Sequence, residues 1–303
     1  MDVVGLGASS VDYVNVLPAI PEAGGANAKL RISSHFVACG GQVANAMAAC
    51  AAFGLHTRFV GPMGNDANGQ RLHKELLARG VDVSTAIIRE AANQFAVILV
   101  DERTGDRIVL WDRDPGLLLR RDDLDAALFA GFRVLHVDDV DEEGSIAAAL
   151  AARAQGLIVT SDLDRLTANT PTLVESVTIP IFAEHVPGAL TGETDVERAL
   201  RKLQRAHHTL LCATLGTDGA IALEGNRILR SPAFKVDAVD TTGAGDVFRA
   251  GLIRGLLSGW PIERSLQFAN AAAAVSCTRL GAMSAVPTRR EVDALIERQP
   301  QSP

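Results

Sequence analysis

Residues 240–248 read DTTGAGDVF, a turn of small residues that runs directly into a helix. Beyond Asp246, apolar residues recur at helical spacing, so the pattern predicts a helix that begins at the turn. The first N–H groups of a helix lack internal partners and lie at the positive end of its dipole. Because Gly243, Ala244 and Gly245 carry little or no side chain, a phosphate can approach these donors. The segment therefore predicts an anion hole made of main chain.

Asp246 supplies a carboxylate in the first turn of this helix. The helix dipole favours its ionised form, so we expect Asp246 to accept the proton of a hydroxyl that attacks a bound phosphate. The same letters also fit a Gly-rich loop followed by an Asp that has no chemical role. Other segments of the chain must decide between these two interpretations.

Composition sets limits on fold and partners. The chain has 303 residues, of which 48% are hydrophobic and 21% charged, enough for one large α/β domain or two small ones. A net charge of -7 without long basic runs argues against nucleic acid or an anionic membrane as partner. Four scattered cysteines, no apolar stretch of about 20 residues and no leader-like start predict a cytoplasmic protein.

The order of predicted elements favours an α/β fold with a mostly parallel central sheet and helices on both faces. From Asp122 onward the pattern predicts a helix and then a regular alternation of strands and helices. Extended segments at about residues 12–37 and 85–112 break that rhythm and predict a small projecting sheet. Because no linker is evident, we expect one domain over residues 1–303.

Two further segments carry small residues at positions suited to ligands. Residues 40–46 read GGQVANA, in which Asn45 lies one turn into a helix and can hydrogen-bond a polyol. Residues 214–220 read TLGTDGA, a loop open enough to lie against a nucleotide. A strand-to-helix turn explains the first segment equally well, and a hairpin turn the second.

Taken in order, these segments resemble the ribokinase-like (PfkB) carbohydrate kinase family over nearly the whole chain. The resemblance lies in GGQVANA with GPMGNDANG at 61–69, in TLGTDGA, in DTTGAGDVFRAG at 240–251, and in residues 268–287. It implies a three-layer sandwich in which the extended segments form a β lid over the substrate. It also implies ATP-dependent phosphoryl transfer to a sugar hydroxyl, and a homodimer paired through the lid.

The resemblance assigns roles to individual positions. Asp246 matches the catalytic base, and Gly243, Ala244 and Gly245 match the anion hole. The sugar contacts match Ser10, Asp12, Gly40, Gly41 and Asn45. The ATP contacts match Thr214, Gly216, Gly219 and Asn270. A monovalent-cation site, for K⁺, matches Asp240, Thr242 and Gly281.

The magnesium site departs from the family pattern. Ala183 and Val186 stand where members often carry N-x-x-E ahead of Leu190-Thr191-Gly192. Glu184 is the nearby carboxylate, and we expect it to orient hydrated Mg²⁺; an ordinary loop residue is the alternative.

The substrate class follows from the lid and its charges. We expect a ketose, an aldose or a sugar acid to be phosphorylated at a primary hydroxyl. Lys29, Arg31, Arg107 and Arg113 in or near the lid favour an anionic sugar, although solvated surface charges are the alternative. With one Tyr and two Trp in the chain, an aromatic sandwich for a nucleoside base is the less favoured possibility.

Other classes fit the sequence less well. GLGASS at 5–10 lacks the third glycine of a dinucleotide-binding fingerprint and leads into an extended segment instead of a helix. No G-x-x-x-x-G-K-[ST] or H-E-x-x-H motif occurs. An inactive kinase-fold binding protein remains an alternative, against which stands the presence of Asp246 with its glycine turn.

Overall fold

The computed structural model describes residues 1–104 and 106–299, and within them fourteen strands and nine α-helices. The strands are β1 Val3–Leu6, β2 Ser10–Leu17, β3 Ser34–Gly40, β4 Thr57–Phe59, β5 Pro62–Gly64, β6 Ile87–Arg89, β7 Phe95–Asp101, β8 Arg107–Asp112, β9 Val134–Asp138, β10 Ile158–Asp162, β11 Ile181–Phe182, β12 Leu211–Thr214, β13 Ala220–Glu224 and β14 Arg227–Ser231. The helices are α1 Gln42–Ala52, α2 Ala67–Ala78, α3 Glu142–Ala154, α4 Thr170–Ser176, α5 His185–Thr191, α6 Val196–Leu203, α7 Ala244–Leu257, α8 Ile262–Ser276 and α9 Arg289–Arg298.

The central sheet is mostly parallel, as the sequence predicts. Four parallel strands run in the order β10-β9-β1-β4, and a second group runs in the order β11-β12-β13-β14. Parallel bridges from Thr160 to Ile179 and from Leu163 to Phe182 join β10 to β11, so the two groups continue one another. Among the described strands of these two groups, β13 alone runs in the opposite direction, since it pairs antiparallel with both β12 and β14.

Helices cover both faces of this sheet, which gives three layers. Successive residues of β1 face opposite sides: Val3 belongs to the core cluster that contains residues of α1, α2 and α7 to α9, and Val4 belongs to the one that contains residues of α3 to α6. Strands buried on both faces are continuously apolar, which explains the unbroken hydrophobic runs in the sequence. The predicted three-layer sandwich is confirmed.

A separate small sheet has the strand order β3-β2-β7-β8. Strand β2 pairs antiparallel with β3 and parallel with β7, which pairs antiparallel with β8. Its strands lie at 10–17, 34–40, 95–101 and 107–112, close to the predicted lid segments. Residues 87–89 differ from the prediction, because they pair with β5 beside the central sheet.

The helix predicted to begin at Asp122 is wrong. Residues 121–123 and 126–129 form two short 3-10 turns instead. The Asp123 carboxylate accepts the N–H of Arg120 at 2.7 Å, and Asp125 accepts the N–H of Ala127 at 2.9 Å. Asp side chains that bind nearby backbone donors compete with the helical ladder, so these residues favour turns.

The four cysteines are free thiols. Cys50 and Cys212 are fully buried, and burial raises the pKa of the Cys212 thiol to about 12. Within the described ranges, no helix is both long and apolar enough to span a bilayer.

Candidate active site

The predicted anion hole lies where α7 begins. Gly243 has a φ of 77° in the left-handed region, and a Cβ there would stand 2.8 Å from the Cβ of Ala282, so the position requires glycine. The N–H of Ala244 donates to Thr241 O at 3.2 Å and closes the turn. Among described residues, the N–H groups of Gly245 and Asp246 have no backbone acceptor. The donors open to an anion are therefore those of Gly245 and Asp246, whereas Ala244 contributes its lack of bulk.

Asp246 is buried at this helix start. Its Oδ2 accepts the Asn45 side-chain amide at 2.8 Å, which joins α7 to α1. Burial raises the pKa of Asp246 to about 6, while Asn45 and the Arg249 guanidinium oppose that rise. Burial thus acts against the ionised form that the sequence predicted, but a pKa of about 6 still leaves the carboxylate mostly ionised at neutral pH. A base with this pKa is ionised at neutral pH and accepts a proton more readily than an exposed Asp.

The residues predicted to bind sugar come together where β2, β3 and α1 meet. Ser10 pairs with Gly40 across the small sheet, and Ser10 Oγ donates to Asp12 Oδ1 at 3.0 Å. Burial raises the pKa of Asp12. A Cβ on Gly40 would lie 2.7 Å from Asp12 Oδ2, and one on Gly41 would lie 2.4 Å from the backbone of Ser9. The glycines thus allow the Asp12 carboxylate and the β1–β2 connection to approach α1.

The sequence predicted that the Asn45 amide binds a polyol, whereas in the structure only part of the amide is free to do so. Its nitrogen is used by Asp246, and its Oδ1 is buried without a hydrogen-bond partner among the described atoms. Buried polar atoms in native proteins are nearly always paired. The unpaired Asn45 oxygen is therefore a free acceptor next to the predicted base.

Two carboxylates that sequence reasoning missed hold the neighbouring loops. Asp138, which ends β9, accepts Ala8 N at 2.6 Å and Val140 N at 3.2 Å, and burial raises its pKa to about 7. Asp139 accepts the N–H groups of residues 164 and 165, both at 2.6 Å. These contacts tie together the loops at the carboxyl ends of β1, β9 and β10. Their signal in the sequence is the DD pair that directly follows a buried strand.

The predicted nucleotide residues lie at the other half of the sheet. Thr214 ends β12, and its Oγ1 donates to Phe182 O at 3.4 Å. Gly216 and Gly219 flank a 3-10 turn, both with positive φ. The Asn270 nitrogen donates to Ser231 O at 2.9 Å and to Ser231 Oγ at 3.0 Å. This amide nitrogen anchors α8 to β14, so it is not available to adenine in this arrangement.

Glu184 stands two residues after the end of β11, which pairs with the strand that ends at Thr214. Its side chain is exposed and makes no hydrogen bond to a described residue. An exposed carboxylate at this edge fits a hydrated Mg²⁺, which prefers few protein oxygens.

The predicted cation residues do come together, but around Arg107. Asp240 Oδ1 accepts Thr242 N at 2.9 Å and Thr242 Oγ1 at 2.6 Å, and Oδ2 accepts Gly281 N at 2.8 Å. Arg107 of β8 adds a bond to Asp240 Oδ1 at 3.1 Å and another to Thr242 Oγ1. Because the carboxylate is surrounded by donors, one of them cationic, it does not fit a bound K⁺ in this arrangement.

The other basic residues of the small sheet differ in availability. Arg113 makes a two-point ion pair with the buried Asp141, at 2.7 and 2.5 Å, so its charge is neutralised. Lys29 and Arg31 are exposed and form no ion pair with a described residue. Of the four charges predicted to favour an anionic sugar, Lys29 and Arg31 are free to do so.

A buried ion pair lies beneath Asp246 and was missed by sequence reasoning. Arg249 Nη2 contacts Asp162 Oδ1 at 2.6 Å, and the two side chains are 4% and 2% exposed. The signal for it was an Arg inside an otherwise apolar stretch of α7.

The fold and these contacts agree with similarities to known proteins. The sequence model of the pfkB family carbohydrate kinase matches residues 7–289. The chain belongs to this family. It is therefore a carbohydrate kinase, and the fold described above agrees with this assignment.

Relatives within the pfkB family differ in the sugar for which they are named. Fructokinase-1 of Zea mays is 29% identical over 98% of both chains. The ATP-dependent ribose-1-phosphate kinase of Halopiger xanaduensis is 29% identical over 91% of this chain and 92% of its own. Among solved structures, ribokinase from Thermotoga maritima has a TM-score of 0.86 and 27% identity, covering 98% of this chain and 99% of that one.

The buried base predicts the pH dependence of activity. Since Asp246 must be ionised and its pKa is about 6, we expect kcat/KM to fall about tenfold for each pH unit below 6 and to be level above it. A pH profile from pH 5 to 8, with protein integrity checked at each pH, measures this. A profile that stays level down to about pH 5 would contradict the raised pKa.

The Arg107 contacts predict how activity responds to K⁺. Because a guanidinium already contacts Asp240, we expect wild-type turnover to be the same with and without KCl at constant ionic strength. In R107Q the charge is removed, so we expect turnover to fall and added K⁺ to restore part of it.

R103Q is the matched control, since Arg103 belongs to the same sheet but pairs with Asp101. We expect R103Q to show no response to K⁺. If K⁺ activated the wild-type enzyme and the R107Q substitution left turnover unchanged, Arg107 would not take the place of a cation.

Proposed function

We propose that this chain transfers the γ-phosphoryl group of ATP to a primary hydroxyl of a sugar, with Asp246 as general base. The observation that carries the proposal is a buried carboxylate beside the open amides of Gly245 and Asp246. Phosphoryl transfer requires mainly positioning and stabilisation of charge, together with a group that accepts the hydroxyl proton. A primary hydroxyl fits best because it is the least hindered one that can reach a base only 8% exposed.

The sugar and the nucleotide approach this base from opposite sides. Asp12 and Ser10 bind sugar hydroxyls, with Gly40 and Gly41 making room and the free oxygen of Asn45 accepting a further hydroxyl. ATP lies along the loop from Thr214 to Gly219, and the α8 segment around Asn270 lines its far side. The small sheet acts as a lid, whose closure excludes water and so limits ATP hydrolysis.

Mg²⁺ accompanies ATP in this proposal and neutralises its phosphate charge when bound. Glu184 would orient the hydrated ion, since it is exposed and unpaired at the edge next to the nucleotide loop. The chain's own contribution to the transferred group is the pair of amides at α7.

Sugars are favoured over nucleosides by the aromatic residues of the small sheet. Tyr13 and Phe95 contact each other edge to face with ring centroids 6.2 Å apart, so they do not form two parallel faces between which a base could stack. Trp111 is 63% exposed on the edge strand. Lys29 and Arg31 support acceptance of an anionic sugar besides neutral ketoses and aldoses.

Replacement of the base tests the reaction. We expect D246N to lose turnover by about three orders of magnitude or more while retaining ATP affinity, because proton acceptance is lost and the main-chain anion hole remains. ADP release would be measured with fructose, ribose, ribose 1-phosphate and a nucleoside panel, and ATP affinity by calorimetry. NMR of the product identifies the phosphorylated hydroxyl.

D66N serves as the control, because Asp66 caps α2 away from the base and its replacement keeps a capping side chain. We expect this variant to turn over like wild type. Equal turnover in D246N and wild type, or turnover with nucleosides alone, would contradict the proposal.

A second copy of this chain is the proposed partner of the small sheet. Strand β8 is its edge, and all six of its residues are exposed, including Val109, Leu110 and Trp111. An edge strand with an open backbone and large apolar side chains is a template for pairing.

The free thiols agree with a reducing compartment, and we propose that the protein is located in the cytoplasm.

Placing a charge on the edge strand tests this pairing. We expect W111E to convert a wild-type dimer into a monomer, because burying an unpaired carboxylate in an apolar interface is unfavourable. Sedimentation equilibrium measures the change. I88E is the control, since Ile88 is similarly exposed but lies outside the small sheet. A monomeric wild-type protein would rule out the pairing.

A further inference from the structure

The buried Arg249–Asp162 pair has no role in the reaction described above. Arg249 follows Asp246 by three residues on α7, a spacing that places both side chains on one face of the helix. Asp162 is the last residue of β10. A buried ion pair gains little stability over apolar residues of similar volume, because both charges lose their hydration. Its location under the predicted base therefore suggests a role in the chemistry.

The guanidinium of Arg249 reaches the anion hole itself. A Cβ on Gly245 would stand 2.6 Å from Arg249 Nη1, so the guanidinium lies against the turn that carries the open amides. Arg249 Nε is buried without a hydrogen-bond partner among the described atoms. Asp162 forms the ion pair with Arg249, and the negative charge of Asp246 acts to raise the pKa of Asp162. The three side chains form one contiguous buried group.

Charges from neighbouring elements act on this group. Burial chiefly raises the pKa of Asp162 and Arg249 lowers it, while the carboxylates of Asp246, Asp139 and Asp138 raise it further. On the side of α1, Asn45 donates to Asp246. Burial chiefly, and Arg249 as well, lower the pKa of His136 on β9 to about 3, so that ring is neutral. Two further groups interact electrostatically with these side chains. Asp164 raises the pKa of Asp246, and Arg249 acts to lower the pKa of the Cys212 thiol on β12.

We propose that Arg249 and Asp162 are positioning residues for Asp246: the guanidinium supports the ionised carboxylate, and Asp162 holds the guanidinium so that Asp246 stays free to accept a proton. Two carboxyl groups and one guanidinium leave at most one net negative charge in the buried space. If Arg249 paired directly with Asp246 instead, that carboxylate would be a weaker base. This inference rests on the proposed role of Asp246.

Replacing Arg249 and replacing Asp162 should move the acidic limb of the kcat/KM pH profile in opposite directions. R249M removes a positive charge, which disfavours ionised Asp246, so we expect the limb to move up by about one pH unit. D162N removes a neighbouring negative charge and leaves Arg249 to Asp246 alone, so we expect the limb to move down, with kcat about tenfold lower. R249K keeps the charge and should restore most of the wild-type limb.

Two further variants separate positioning from a purely structural role. Loss of one partner of a buried pair destabilises a protein strongly, so the D162N/R249M double variant, which leaves no unpaired charge, is measured as well. We expect its limb to return toward wild type while kcat stays low. R58M is the control, because it breaks the part-buried Arg58–Asp82 pair at 2.7 Å, away from α7.

The outcomes distinguish this inference from the proposed function. Limbs that do not move in R249M and D162N, in an enzyme that D246N inactivates, would overturn the positioning role alone. Retained turnover in D246N would overturn the assignment of the base. If R249M and D162N do not fold, the limb of R249K and the kcat of the double variant decide: a wild-type kcat in the double variant overturns the inference.

Discussion

The hydrogen bond between Asn45 and Asp246 is the contact on which the site depends. It joins α1 to α7 across 201 residues of sequence, and both side chains are buried. Burying a carboxylate without a partner is strongly unfavourable, so Asp246 can be enclosed only if α1 packs beside α7. That packing in turn brings Gly40 and Gly41, the glycines proposed to line the sugar site, toward the proposed anion hole at the start of α7. The substrate-binding half and the chemical half of the site are thus held together by the same contact.

The parallel sheet supplies the remaining geometry. In open α/β sheets, ligands bind beyond the carboxyl ends of the strands. Asp138, Asp162 and Thr214 all lie at such ends here, on β9, β10 and β12. The loops that leave these strands are tied by carboxylates that accept backbone N–H groups. These same acidic residues raise one another's pKa, which makes a cationic Arg249 in their midst physically reasonable.

Features encoded by local sequence could be predicted, and features that depend on distant partners could not. The turn at 243–245 was identifiable because glycine and alanine leave backbone donors open. The helix predicted at Asp122 failed because capping by Asp123 and Asp125 favoured short turns. Asn45 and Asn270 were correctly seen as polar residues in helices. Which groups they bind, Asp246 and Ser231, depends on the elements that pack against those helices.

By itself, the sequence determined the fold class and the small-residue turn with a carboxylate beside it, because each is carried by residue types at short spacing. Only the tertiary structure decided the state of that carboxylate and its surroundings. It encloses Asp246 enough to raise its pKa, places Arg249 and Asp162 beneath it, and brings Arg107 from the small sheet to Asp240. The physical reason is that desolvation and ion pairing depend on groups far apart in the chain, whose approach is set by packing.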